Sequence, residues 1–180
     1  MGQVNQMVMQ QFMHLRGDIA EMGVNRGSSS KGMITMAQVH KKVIWLYDSF
    51  KGMPSSHEPT DLEQYPQGRF GNASADAILD ISDYKRLRVV AGWLPESMMN
   101  ITVRYCFVYL DLDHYEGTIH TLKCLWHRII LGGGVLCDDW FPQRPKILAT
   151  RAIKEFVASV EDLEMVEYPA RNQVLLVKRS

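Results

Sequence analysis

Short apolar runs alternate with longer stretches of helical spacing along this chain, the order expected of an α/β sheet with crossover helices. Runs at Ile19 to Met22, Val43 to Tyr47, Leu87 to Ala91, Tyr105 to Leu110 and Gly134 to Cys137 predict buried strands. Two more, Met165 to Tyr168 and Val174 to Lys178, flank Pro169, Ala170, Arg171 and Asn172, a spacing that predicts an antiparallel hairpin at the sheet edge. Ile119, Leu122, Leu125, Trp126, Ile129 and Ile130 recur at helical spacing until Gly132 to Gly134, which predicts a crossover helix. Ala152, Ile153, Phe156, Val157 and Val160 form a similar stripe after a loop from Pro142 to Pro145. Both stripes read as core rather than as cofactor boxes. The segment from Gly52 to Asn72, rich in Pro, Gly, Ser and polar residues, is predicted to be irregular, a lid or substrate loop.

Composition narrows the class. With 180 residues, 46 % of them apolar, the chain can bury one core, and a single domain over 1–180 is expected. The formal net charge is zero, so no basic field attracts nucleic acid or an anionic membrane. No apolar stretch reaches the roughly 18 residues of a membrane span, and no basic head precedes an apolar signal core; a cytoplasmic protein is expected. Cys106, Cys124 and Cys137 lack CxxC spacing and cannot all pair, so they read as core thiols.

The chemistry lies at the ends of the predicted strands. Asp111 and Asp113 close the run Tyr105 to Leu110, and Asp138 and Asp139 close Gly134 to Cys137. In an open α/β sheet that is the ligand-binding edge, where adjacent strands lie about 5 Å apart. Carboxylates gathered there repel one another unless a cation, a shared proton or a basic group compensates, and neither cluster contains Lys or Arg. A hard divalent metal is the natural solution. An isolated Asp-Asp pair is more often a solvated turn; two such clusters reverse that preference.

The first strand runs into Glu21-Met22-Gly23-Val24-Asn25-Arg26-Gly27-Ser28-Ser29-Ser30, a glycine-containing turn opening a helix with serines at its N-cap. Asp48 ends the second strand, where Rossmann-like proteins place the carboxylate that accepts from both ribose hydroxyls. The turn lacks the GxGxxG form for a pyrophosphate and the GKS/T of a P-loop, which favours a nucleoside without phosphates, such as S-adenosylmethionine. The plainer role for Asp48 is to cap the next turn together with Ser49.

The segments GDIAEMGVNRGSSS, WLYDSFKGMP, VVAGWLPESM, YLDLDHYEGT and GGGVLCDDW, in that order, resemble the macrocin O-methyltransferase family (TylF, MycF and NovP type), from about Gly17 to Phe156. The resemblance implies a Rossmann-like class I methyltransferase: a seven-stranded, mostly parallel sheet with an antiparallel last strand and helices on both faces. It implies magnesium and S-adenosylmethionine as cofactors, and methylation of a sugar hydroxyl on a natural product. It makes Asp111, Asp138 and Asp139 the metal ligands and Asp113 the general base. The expected cofactor contacts are Glu21, Gly23, Asn25, Ser28, Asp48 and Ser49, with Gly92 and Trp93 near the adenine and Asp111 shared with the metal. Leu112, Gly117 and Trp140 depart from the family pattern (DGD-x-YEST and DDY) at the rim. The helical N-terminal extension of the family, which covers substrate or forms a dimer, is expected to be absent, with the chain starting almost at the first strand; a homodimer stays open.

Magnesium prefers six oxygens at about 2.1 Å, so three aspartates leave positions for two adjacent hydroxyls, and a vicinal diol on a sugar or a catechol is the expected acceptor. His114 and then His57 are alternatives to Asp113 as base, although a lone histidine beside a strand end is more often a structural donor. A catechol-type methyltransferase and a non-catalytic cofactor-binding module are the competing functions.

Overall fold

The computed structural model describes residues 6–57, 59, 63, 65–141 and 148–179. At its centre, strand β4 (Tyr105–Leu110) is buried at every position, because its alternate side chains feed two cores on opposite faces of one sheet. The others are β1 (Asp18–Met22), β2 (Ile44–Asp48), β3 (Leu87–Ala91), β5 (Ile129–Cys137), β6 (Leu163–Tyr168) and β7 (Gln173–Lys178). They form a seven-stranded sheet in the order β3-β2-β1-β4-β5-β7-β6. β3 through β5 are parallel, while β7 runs antiparallel to both neighbours, β5 and β6. The strand order reverses between β1 and β4. In such sheets the crevice at that switch point, beyond the carboxyl ends of the strands, is where ligands bind.

Helices cover both faces. On one, α1 (Gln6–Gln10) and α2 (Ser30–His40) pack Val8, Met9, Met33, Ile34 and Ala37 with Phe107, Tyr109 and Leu136. On the other lie α4 (Tyr115–Trp126) and α5 (Leu148–Ala158), following a short α3 (Ala75–Leu79). Leu122, Leu125, Trp126, Ile153 and Phe156 pack there onto Val108, Leu110, Val135 and Leu176. Trp126 and Phe156 meet edge to face, with ring centroids 5.6 Å apart.

The structure departs from the sequence reading at three places. Helix α4 stops at Trp126, and Ile129 and Ile130 open β5 instead of closing the helix. Arg128 makes the break: its N–H bonds Leu125 O at 2.8 Å, and its carbonyl accepts Tyr105 N–H at 2.9 Å. Ile129 then pairs with Tyr105, the register shifts, and pairing resumes at Gly134 with Phe107. An apolar run fits both periods, so the neighbouring strand decides. Second, the chain does not start at β1: α1 precedes it, and Val8, Met9, Phe12 and Met13 are buried. Phe12 lies 5.5 Å from the Phe107 ring. Third, Ser29, at the N-cap of α2, makes no side-chain cap; its hydroxyl and that of Ser30 turn back to β1, as described below.

The Pro142 to Pro145 loop lies outside the described residues. Cys106 and Cys137 are buried free thiols and Cys124 is partly buried, as expected of core cysteines. Among the described residues no helix is long and apolar enough to cross a membrane.

Candidate active site

At the carboxyl ends of β1, β2, β4 and β5 lies a cavity of about 700 Å³. Its lining includes Gly23, Asn25, Ser28, Asp48, Ser49, Gly92 and Trp93 together with Asp111, Asp113, His114, Asp138 and Asp139. Of the residues expected from the sequence, Glu21 and His57 do not line the cavity, and Glu21 is fully buried.

The turn after β1 exists because Gly23 permits it. Its φ is +92°, and a Cβ there would lie 1.9 Å from Asp111 O, so only glycine lets the ends of β1 and β4 approach this closely. Gly23 N–H bonds Tyr47 O at 2.9 Å, and Asp111 N–H bonds Met22 O at 2.9 Å, which joins the three strand ends. Beneath them, Glu21 accepts hydrogen bonds from the Ser29 and Ser30 hydroxyls. Burial still pushes its carboxyl up to about 7, against the pull of those two donors. The serines thus hold the turn through Glu21 and not through the helix terminus.

Asp48 is held by backbone. Its Oδ2 accepts from Val24 N–H and Asn25 N–H, both at 2.8 Å, and Oδ1 from Phe50 N–H at 2.7 Å. An ionised carboxylate has about four acceptor positions, so roughly one remains for an external hydroxyl. Asp48 therefore joins the turn after β1 to the turn after β2, and its bond to Phe50 is the turn-capping role. Ser49 completes that turn, with its hydroxyl donating to Gly52 O at 2.9 Å and accepting from Lys51 N–H at 3.1 Å.

The acidic end brings three carboxylates together. One oxygen each of Asp111, Asp113 and Asp139 lies within 4.8 Å of the others. Asp138 sits beside them, with Oδ1 accepting from Gln173 Nε2 at 2.9 Å. Burial raises all four pKa values; repulsion from neighbouring carboxylates adds to the rise at Asp111, Asp113 and Asp138, whereas hydrogen bonds with Asp113 and Asn172 oppose it at Asp139. Asp111 is held well above the carboxylate range, first by burial and then by Asp113, Asp138 and Asp139. Asp113 rises to about 7, from burial and then Asp139, and Asp138 to about 6, chiefly from burial. A buried cluster of this kind has the donor chemistry a hard cation takes, several carboxylate oxygens within coordination reach.

Two of these aspartates have unusual backbones. Asp113 has φ +62° and Asp139 φ +58°, a region that non-glycine residues seldom occupy. Asp139 is braced by the β6–β7 hairpin: Asn172 Nδ2 donates to its Oδ1 at 3.1 Å, while Asn172 Oδ1 accepts from Phe141 N–H at 2.6 Å. Asp113 is braced from its own turn, where both the N–H of His114 and its ring Nδ1 meet Leu112 O, at 2.7 and 2.6 Å.

The irregular segment contributes what local sequence could not show. Arg69 lines the cavity, with its guanidinium 5.3 and 5.0 Å from the Tyr65 and Phe70 ring centroids, and its charge partly opposes the rise at Asp113. Neither cluster contains a basic residue, as the sequence shows, but one approaches from a distant loop. Met53 N–H bonds Arg69 O at 2.8 Å and Gly68 N–H bonds Met53 O at 2.9 Å, so the segment closes on itself. Glu116, in the first turn of α4, accepts from Ser56 Oγ at 2.8 Å and His57 N–H at 3.0 Å, which fastens the loop beside the acidic end. His57 thus meets the site's border through its backbone. Among the residues absent from the sequence reading, Arg69, Glu116, Asn172 and Gln173 gave no local signal beyond being polar.

A seven-stranded sheet of this order with an antiparallel β7 defines the class I, Rossmann-like methyltransferase fold, and a solved structure of the O-methyltransferase NovP shares it, with a TM-score of 0.76 at 23 % identity over 96 % of this chain and 75 % of that one. The profile of the macrocin O-methyltransferase (TylF) family matches residues 1–170. The chain belongs to that family. It is 30 % identical over 142 residues to the 8-demethyl-8-(2,3-dimethoxy-α-L-rhamnosyl)-tetracenomycin-C 4'-O-methyltransferase of Streptomyces olivaceus, covering 69 % of this chain and 53 % of the relative. It is 27 % identical over 139 residues to the demethyldecarbamoylnovobiocin O-methyltransferase of Streptomyces niveus, with the same coverage of each chain. The chain thus spans about half the length of the curated relatives it matches.

Proposed function

We propose that this chain transfers a methyl group from S-adenosylmethionine to a hydroxyl of a sugar on a glycosylated small molecule, with a divalent cation, magnesium, at Asp111, Asp138 and Asp139. The observation that carries this reading is the meeting of two sets of residues in one cavity: the Gly23 and Asp48 turns, and carboxylate oxygens of Asp111, Asp113 and Asp139 within 4.8 Å of one another. The sulfonium cofactor supplies an electrophilic methyl, and the cation supplies Lewis acidity that makes an alcohol oxygen a competent nucleophile near neutral pH.

The chain's own groups do the rest. Asp48, its position set by three backbone N–H donors, offers a remaining acceptor position to a ribose hydroxyl. Gly92 and Trp93 border the side of the cavity assigned to the adenine. Asp113, whose carboxylate oxygen lies within 4.8 Å of those of Asp111 and Asp139, takes the acceptor's proton. His114 is the weaker choice, because its Nδ1 is committed to Leu112 O and its ring is buried. Gly52 to Ser55, fastened through the bonds of Ser56 and His57 to Glu116, and Arg69 line the cavity and border the acceptor. A cytoplasmic location and a small-molecule partner accompany this reading.

The test is methyl transfer from labelled S-adenosylmethionine to a panel of glycosides and catechols, with magnesium or with a chelator. Metal-dependent methylation of glycosides supports the proposal. Transfer to catechols alone would favour the aromatic-diol enzyme, and tight binding of S-adenosylhomocysteine without turnover on any acceptor would favour a binding module.

A further inference from the structure

We infer that His114 and Gly117 act as a matched pair that holds the Asp113 carboxylate in the acidic cluster, a positioning role that rests on the cation reading above and counts Asp113, whose oxygen lies within 4.8 Å of those of Asp111 and Asp139, among the carboxylates facing the cation. Leu112, Asp113 and His114 form a three-residue turn with a positive φ at its middle residue, the strained and rarer form of such a turn. It returns the chain toward β4, so that Asp113, two residues past Asp111, puts its carboxylate into the same cluster. The backbone bond from His114 N–H to Leu112 O at 2.7 Å closes the turn, and ring Nδ1 adds a second bond to that carbonyl at 2.6 Å.

That second bond needs the ring folded back against the first turn of α4. Gly117 makes the room: a Cβ there would come within 2.3 Å of both Cε1 and Nε2 of His114. Any other residue at 117 displaces the imidazole, breaks the bond to Leu112 O and releases the turn that aims Asp113. The two positions are three apart, at the start of α4, which puts them on one face. The corresponding brace on the other strained aspartate is Asn172, which bonds Asp139 Oδ1 from the β6–β7 hairpin. Facing carboxylates on strained backbones are thus each held by a neighbouring side chain, the arrangement by which strain persists at a site.

The test uses the full chain as wild type, His114→Ala, His114→Asn, Gly117→Ala and the His114→Ala/Gly117→Ala double variant, with Mn²⁺ as probe. Mn²⁺ affinity is read by electron paramagnetic resonance and S-adenosylhomocysteine affinity by calorimetry. Loss of a residue that orients a metal-site carboxylate weakens affinity by about 10- to 100-fold. His114→Ala and Gly117→Ala should each weaken Mn²⁺ binding on that scale and leave S-adenosylhomocysteine affinity within about twofold. The double variant should be no worse than His114→Ala, because the added Cβ then has nothing to displace. His114→Asn, whose amide can take the place of Nδ1–H as donor to Leu112 O, should restore most of the affinity. Wild-type Mn²⁺ affinity in both single variants, or losses that multiply in the double variant, would overturn the inference. If Gly117→Ala fails to fold, the contrast of His114→Ala with His114→Asn decides it. A wild type that binds no Mn²⁺ overturns the cation reading itself, and this inference with it.

Discussion

Replacing Asp113 by Asn should make the metal-free protein more stable above neutral pH. The substitution removes one charge from the acidic end while keeping the side chain's shape and its tolerance of a positive φ. Burial, followed by the fields of Asp139 and Asp138, raises the Asp113 carboxyl from its ordinary 3.8 to about 7. At pH 8 that shift corresponds to roughly 4 kcal/mol against the ionised form in the folded state. Water and counter-ions in an open cavity, together with relaxation of neighbouring carboxylates, reduce the net effect to about 1 to 2 kcal/mol. The sign follows from proton binding. Between about pH 4 and pH 7 the folded protein keeps a proton that the unfolded chain has released, so this group's contribution to stability falls as pH rises through that window. In thermal melts without metal, Asp113→Asn should exceed wild type by about 2 to 8 °C at pH 8, and the difference should vanish below pH 4, where Asp113 is neutral in both states. Added Mg²⁺ should stabilise wild type more than the variant and narrow the gap. A variant less stable than wild type at pH 8, or one with the same gain at pH 4, would refute the claim that burial and neighbouring carboxylates destabilise the ionised Asp113.

Asp48→Ala leaves the N–H groups of Val24, Asn25 and Phe50 without their acceptor, at about 1 to 3 kcal/mol for each one that water cannot reach; urea unfolding should show the loss, and calorimetry an S-adenosylhomocysteine affinity down by more than about tenfold. Asp111→Ala or Asp138→Ala should abolish metal-dependent methyl transfer while sparing S-adenosylhomocysteine affinity, and equal activity of wild type with and without a chelator would contradict those roles. Removing both donors to Glu21, in Ser29→Ala/Ser30→Ala, should raise its carboxyl beyond about 7, so the loss of stability should be larger at pH 8.5 than at pH 5.5.

Read by itself, the sequence located the strands to within a residue or two except at the start of β5, gave the two acidic ends, the turn at Gly23 and Asp48, and the family. These are local properties: side-chain period, turn chemistry, and carboxylates where an apolar run stops. What it could not determine depended on which strands lie side by side. Ile129 and Ile130 fit a helix as well as a strand until Tyr105 stood ready to pair with them. Ser28 to Ser30 had the composition of an N-cap, yet a buried carboxylate on β1 is the stronger acceptor for two of those hydroxyls. Val8, Met9, Phe12 and Met13 formed too short a pattern to read, and the sheet face beneath them makes them core. The grouping of Asp111 with Asp113 and Asp139, the tie of Asp138 to Gln173, and the approach of Arg69 are all set between residues distant in sequence. A chain can encode which acids it carries at a strand end, but the oxygens that end up within coordinating distance are chosen by sheet order, by register and by two aspartates held in a backbone conformation that no local preference favours.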